Sequence, residues 1–132
     1  MAKKILLVDD DADFLEINRT ILESGNYEVE TATSTREALN KVRIDAFDLI
    51  VVDLIMEELD SGFTFVYAVR DHEATRQLPI LMLTSAQEKT GFQFQVDQDK
   101  EWMKVDDFAA KPLAPAEFLR RVERLIGKQQ QE

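Results

Sequence analysis

Four apolar runs in this chain end in residues that can do chemistry. KKILLV (Lys3 to Val8) stops at Asp9 and Asp10, and LIVV (Leu49 to Val52) stops at Asp53. PILML (Pro79 to Leu83) stops at Thr84, and DFAA (Asp107 to Ala110) stops at Lys111. Ligands of open parallel sheets bind beyond the carboxyl ends of the strands. If the four runs pair side by side, their polar ends share one edge. Three carboxylates gathered there repel: at ~4 Å and an effective dielectric of about 20, each like pair costs roughly 4 kcal/mol. A hard divalent cation offsets that cost, and Mg²⁺ keeps several waters beside one or two carboxylates. Lys111 adds a point charge suited to a phosphoryl oxygen, and Thr84 adds a hydroxyl donor. Such a set describes phosphoryl transfer, in which positioning and charge neutralisation do most of the work. A carboxylate can be the nucleophile and become an aspartyl phosphate. Each residue also has a plainer reading. Asp9, Asp10 and Asp53 could be capping or turn acids, Thr84 a strand-end hydroxyl and Lys111 a surface lysine.

The elements that must position these residues are legible as patterns. The run at Leu49 to Val52 suits a strand covered on both faces. After the first strand, Asp10 or Asp11 can cap a helix reaching about Ser24, with Phe14, Ile17, Ile21 and Leu22 at helical spacing. Gly25-Asn26 stops it, and Tyr27 to Thr31 reads as a short strand. Ser34 and Glu37 form a capping box before a helix that turns Ala38, Leu39 and Val42 inward. An acidic loop, Glu57 to Gly62, precedes a third helix from Phe63 to about His72. The lone His72 is expected at the surface. The stretch from Ser85 to Val105 resists assignment. Gly91 interrupts any helix begun at Gln87, and Phe92, Phe94 and Val96 alternate with glutamines. Trp102 and Met103 follow. Either these residues pack a long loop onto the sheet edge, or some form an exposed aromatic output surface. Ala114 and Pro115 open a last helix with Phe118, Leu119, Val122, Leu125 and Ile126 on its apolar stripe. From Gly127 to Glu132 the chain is polar, and fraying is expected.

Composition narrows the class. With 132 residues and 45% apolar content the chain is read as one globular domain, spanning residues 1–127 with a polar tail at 128–132. Without cysteine it has no disulfide framework and no thiolate metal site. The run Ile5 to Val8 is too short for a signal peptide or a membrane span, so a soluble cytoplasmic protein without a membrane partner is expected. The net charge of −10 opposes direct nucleic-acid binding. Strands alternating with helices imply an α/β sheet with right-handed crossovers.

Taken together, ILLVDDD (Ile5 to Asp11), LIVVDLIM (Leu49 to Met56), PILMLTSA (Pro79 to Ala86) and DDFAAKPL (Asp106 to Leu113) resemble a two-component response-regulator receiver domain, the chemotaxis regulators among them. The resemblance covers nearly the whole chain. It implies a flavodoxin-like doubly wound five-stranded parallel sheet, order 2-1-3-4-5, with helices on both faces. It implies that Asp53 accepts a phosphoryl group from a sensor histidine kinase or a phosphotransfer protein. Asp10 would ligate Mg²⁺ (or Mn²⁺) directly and Asp9 mainly through water, with the backbone carbonyl of Ile55 completing the protein ligands. Lys111 and Thr84 would contact the phosphoryl group. Phe108 would be the switch aromatic that turns inward, although packing alone would also account for a Phe there. The chain would be a phosphoacceptor and not a turnover enzyme, signalling to a downstream protein.

The resemblance also has gaps. Glu57 stands where the family commonly has Pro. The fourth strand-to-helix connection is atypically long, and Lys104-Val105 replace a usual small pair such as Gly-Ala. Ile55 and Ala86, at positions that influence water access in the family, cannot hydrogen-bond an attacking water, so slow loss of the phosphoryl group is expected. Two other functions compete. A haloacid-dehalogenase-type phosphatase would use Asp9 as nucleophile and Asp11 as acid, but Asp13 stands where Thr or Val is needed. A pseudo-receiver binding module would fold alike and signal without phosphorylation.

Overall fold

The computed structural model describes residues 2–53, 61–84, 104–111 and 113–130. Ile55, Ala86, the aromatic stretch from Gln87 to Met103 and most of the acidic loop lie outside the described residues. Five strands, β1 (Lys4–Val8), β2 (Glu28–Ala32), β3 (Leu49–Asp53), β4 (Ile80–Thr84) and β5 (Asp107–Ala110), form one parallel sheet in the order β2-β1-β3-β4-β5. This is the order expected from the motifs. It reverses between β1 and β3, which puts the topological switch point where Asp9, Asp10 and Asp53 stand.

Alternation along each strand builds two cores. Leu6, Val8, Ile50, Val52, Ile80, Met82 and Phe108 pack with α2 (Thr35–Ile44) and α3 (Ser61–Asp71) through Ala38, Val42, Phe65, Val66 and Val69. The alternate residues Ile5, Leu7, Leu49, Val51, Leu81, Leu83 and Ala109 face α1 (Ala12–Ser24) and the C-terminal helix α4 (Pro115–Gln130). β3 is buried along its whole length, hence its unbroken apolar run. Phe118 is 1% exposed, and truncating such a residue to Ala costs about 3–5 kcal/mol.

Local chemistry sets the helix ends. The Asp11 carboxylate caps α1 by accepting from the N–H groups of Asp13 and Phe14. Asn26 follows at φ 69°, a left-handed conformation that Asn tolerates. Gly25 lies close against α4: a Cβ there would sit 3.0 Å from Leu119 Cδ2, so that side chain would have to give way. Three expectations need correction. Ile17 points outward, 60% exposed, and Leu15 is buried instead, because Leu15 and Leu22 are two turns apart on the sheet-facing stripe. At α2, Ser34 Oγ accepts from Glu37 N–H, but the Glu37 carboxylate reaches back to Thr33 N–H and not to Ser34. The last helix continues to Gln130, past Gly127; one Gly in a helix costs only about 1 kcal/mol.

The return into β5 is held by an arginine. Arg70 of α3 donates to the carbonyls of Lys104, Arg76 and Leu78 and to the Asp106 carboxylate, which also accepts from Ile80 N–H. Lys104 itself lies at φ 62°, where a non-glycine backbone is strained by roughly 1–2 kcal/mol. The Lys104 ammonium rests over the Tyr67 ring at 5.5 Å. These contacts hold a backbone conformation that a glycine would adopt freely. His72 is exposed, as expected, and its Nδ1 accepts from Ala74 N–H to cap a short 3-10 helix (Glu73–Thr75) that the apolar pattern does not signal.

Candidate functional site: an acidic cluster bridged by a lysine

The carboxyl edge of the sheet gathers the predicted residues. Ligand oxygens of Asp9, Asp10 and Asp53 lie within 4.8 Å of one another. Asp9 and Asp53 are buried, at 0% and 4% exposure, while Asp10 is exposed. Neighbours in sequence thus differ in exposure while their carboxylates converge, Asp9 lying beneath the cluster and Asp10 at its open side. Asp9 is bonded through both oxygens: Oδ1 accepts from Asp11 N–H at 2.9 Å and Oδ2 from Lys111 Nζ at 2.8 Å. The same ammonium donates to Asp53 Oδ2 at 3.2 Å. Burial lowers the Lys111 pKa, but its bond to Asp9 and the charge of Asp53 outweigh that, and the net direction is upward. Lys111 is therefore a fixed cation between two buried acids.

Strand pairing explains why residues so far apart in sequence meet. β1 pairs with β3, β3 with β4 and β4 with β5, all parallel, with Val8 beside Val52, Asp53 beside Leu83 and Thr84 beside Ala110, so the four strands end close together at one edge. The Lys111 N–H donates to the Thr84 carbonyl at 3.0 Å and continues that ladder. Thr84 is buried, and so is Phe108, which stands beside Met82 in register. By alternation Thr84 and Phe108 belong to the α2/α3 side of the sheet, together with Met82. Ile55 lies outside the described residues.

One residue of this site was not foreseen as part of it: Phe14. Its ring centroid lies 4.1 Å from Lys111 Nζ, and the side chain packs on the core beneath α1. The helical stripe marks Phe14 only as apolar. Its place three residues after the capping Asp11, to which its N–H bonds, was the available hint that it stands beside the strand ends.

An oxygen-only set of three carboxylates at a sheet edge suits a hard cation such as Mg²⁺. A separate open groove of about 840 Å³ lies at the amino edge of the sheet, between Val42–Phe47 and Glu73–Leu78. It shares no residue with the acidic cluster. Among the described residues no helix is long and apolar enough to cross a membrane.

Comparison with known proteins places this geometry. The profile of the response regulator receiver domain matches residues 5–123. The chain is 33% identical to the alkaline phosphatase synthesis transcriptional regulatory protein PhoP of Bacillus subtilis, over 97% of this chain and 50% of that protein. It is 34% identical to the transcriptional regulatory protein ResD of the same organism, with the same coverage. The chain thus spans about half the length of the curated relatives it matches. Among solved structures, the chemotaxis response regulator CheY4 of Vibrio cholerae superposes with a TM-score of 0.79 at 34% identity, covering 95% of this chain and 99% of that one. A response regulator from Chloroflexus aurantiacus superposes with a TM-score of 0.81 at 31% identity, covering 96% and 99%. The fold, the acidic edge and the match across residues 5–123 lead to one conclusion: this chain belongs to the response regulator receiver domain family.

Proposed function

We propose that this chain is a phosphorelay acceptor in which Asp53 takes a phosphoryl group from a phosphohistidine on a sensor histidine kinase or phosphotransfer protein. The observation that carries this reading is the cluster itself: three carboxylates within 4.8 Å, two of them tied by one ammonium. A carboxylate oxygen of Asp53 forms the bond to phosphorus as the P–N bond to the partner's imidazole breaks. Asp53 ends the central strand at the switch point, where ligands of such sheets bind. Asp9, held through both oxygens within the protein, suits a supporting role. The same bonding favours Asp10 as a direct metal ligand and Asp9 as a ligand through water, with Asp53 and the Ile55 carbonyl completing the set. A bound Mg²⁺ or Mn²⁺ would neutralise charge on the transferring phosphoryl oxygens. Lys111 keeps its bond to Asp9 and turns its second donor from Asp53 to a phosphoryl oxygen. The Thr84 hydroxyl donates to another. Phe108 follows Thr84 on the same face, and the paired movement shifts the population of a protein-binding surface.

The phosphorylated residue resides on the chain, so the chain is a signalling phosphoacceptor and not a turnover enzyme on a separate substrate. Its downstream target is a protein, since the net charge of −10 disfavours phosphate backbones.

Incubation with acetyl phosphate and Mg²⁺ tests the assignment. One labile acyl phosphate is expected, absent in Asp53→Asn and absent when EDTA removes the metal. Labelling of Asp53→Asn at the wild-type rate would falsify it.

A further inference from the structure

We propose that Phe14 is a positioning residue for the phosphoryl-transfer site, holding the Lys111 ammonium over the pocket with the face of its ring. This inference rests on the phosphoacceptor reading given above. Two sides of Lys111 Nζ are taken by Asp9 Oδ2 at 2.8 Å and Asp53 Oδ2 at 3.2 Å. The Phe14 ring, its centroid 4.1 Å from Nζ, lies on a further side. The Lys111 side chain keeps only 18% of its surface exposed. A cation over an aromatic face is attracted by the ring quadrupole, and more strongly when water is excluded.

The contact matters most when Asp53 reacts. In the resting arrangement two buried carboxylates would hold Lys111 without help. Once an Asp53 oxygen is committed to phosphorus, Lys111 must release Asp53 and turn to a phosphoryl oxygen. Asp9 and the Phe14 ring are then the contacts that do not have to break. Attraction over a ring face is less directional than a hydrogen bond, so the ammonium can make this turn while staying over the ring. An aliphatic side chain of similar bulk would fill the same place on the core but offer the cation no attraction on that side. Phe14 is well placed for the task because it is anchored twice. Its backbone N–H bonds to the Asp11 cap, and its side chain packs against the apolar core under α1. Asp11 N–H in turn bonds to Asp9. One turn of helix therefore fixes both the ring and the acid that flank Lys111.

The test compares Phe14→Leu, which keeps bulk without a ring, with Phe14→Trp, which keeps a stronger cation-binding face. Acetyl phosphate labelling of the full chain in saturating Mg²⁺ should be roughly three- to tenfold slower in Phe14→Leu and near wild type in Phe14→Trp. A role in packing alone predicts equal losses in both variants, and that result overturns the proposal. So does an unchanged rate in Phe14→Leu. A second readout needs no variant to fold and no labelling to occur: the Lys111 ε-methylene protons should show an upfield ring-current shift in wild type. Its absence overturns the proposal. If wild type takes no label at all, the phosphoacceptor reading fails, and the ring-current shift still decides whether Phe14 holds Lys111.

Discussion

Lys4 and Lys111 stand at opposite ends of the sheet in nearly the same company. Lys4 opens β1 and pairs with Asp45 and Glu30, its ammonium 5.3 Å from the Phe47 ring centroid. Lys111 follows β5 and pairs with Asp9 and Asp53, 4.1 Å from the Phe14 ring centroid. Both ammonium groups have raised pKa values, but for different balances of reasons. For Lys4 the bond to Asp45 leads, followed by the bond to Glu30. For Lys111 burial comes first and acts downward, and the two acids overcome it. The carboxylates explain the contrast. Those around Lys4 keep 34% and 42% of their side-chain surface, those around Lys111 0% and 5%. Similar residue types thus make a solvated surface network at one end and a buried charged cluster at the other. Exposed ion pairs are screened and contribute little, whereas a buried charge that loses its partner is left uncompensated.

Replacing each lysine by Met should separate the two ends most sharply. Lys111→Met leaves Asp9 and Asp53 facing each other without their shared cation. A loss of about 2 kcal/mol in metal-free stability is expected after allowing for the partial exposure of the ammonium, together with a loss of acetyl phosphate labelling. Lys4→Met should label like wild type. Comparable damage from both would mean that burial does not distinguish them. Chemical denaturation and labelling of the two variants decide the matter.

A smaller effect is expected from Asp10→Asn. Removing the exposed member of the cluster relieves repulsion and should raise metal-free stability by about 1 kcal/mol. The same change should blunt the stabilisation by Mg²⁺ that mass action leads one to expect for wild type. A wild-type melting temperature that ignores Mg²⁺ across the millimolar range would remove the metal from the site. No Mg²⁺ response should come from the Lys4 end, so Asp45→Asn should keep the full wild-type increment.

The weakest effect concerns pH. Bonding to Lys4 holds the Asp45 carboxyl below the ordinary value of 3.8. Its contribution to stability is complete above that value and is lost as the pH falls through the lowered folded-state pKa. Lys4 is held above 10.5, so its contribution is complete below 10.5 and is lost only as the pH climbs through the raised value. The small stability gap between wild type and Lys4→Met should therefore stay flat between these limits and close in stronger acid. Denaturation at a series of pH values checks this, and closure near neutral pH would contradict the pairing.

Much of the fold was legible because each element carries its own signal. The apolar runs of β1, β3 and β4 announce strands covered on both faces. The caps at Asp11 and Ser34 mark helix starts by satisfying backbone donors that would otherwise lack partners. Asp53, Thr84 and Lys111 were readable as strand ends. The facing of single helix residues was less legible. Ile17 fits the helical stripe by spacing, yet Leu15 is the buried residue, since the direction of burial depends on where the sheet lies. The shifted capping box at Thr33 depends likewise on the angle at which the chain enters α2.

The residue types at the strand ends and the register of apolar runs are properties of the sequence by itself, because backbone donors, caps and alternating side chains act over a few residues. The sequence also carries the motif set that marks the receiver family. Only the tertiary structure decided that Asp9 is buried and Asp10 exposed, that Phe14 covers Lys111, and that Lys104 takes a left-handed turn beside Arg70 and Tyr67. It also decided which of two similar lysine clusters is a pocket. Lys111 meets Asp9 across 102 positions of chain, and how much water remains around such a pair is set by the packing of the strands and helices that bring them together.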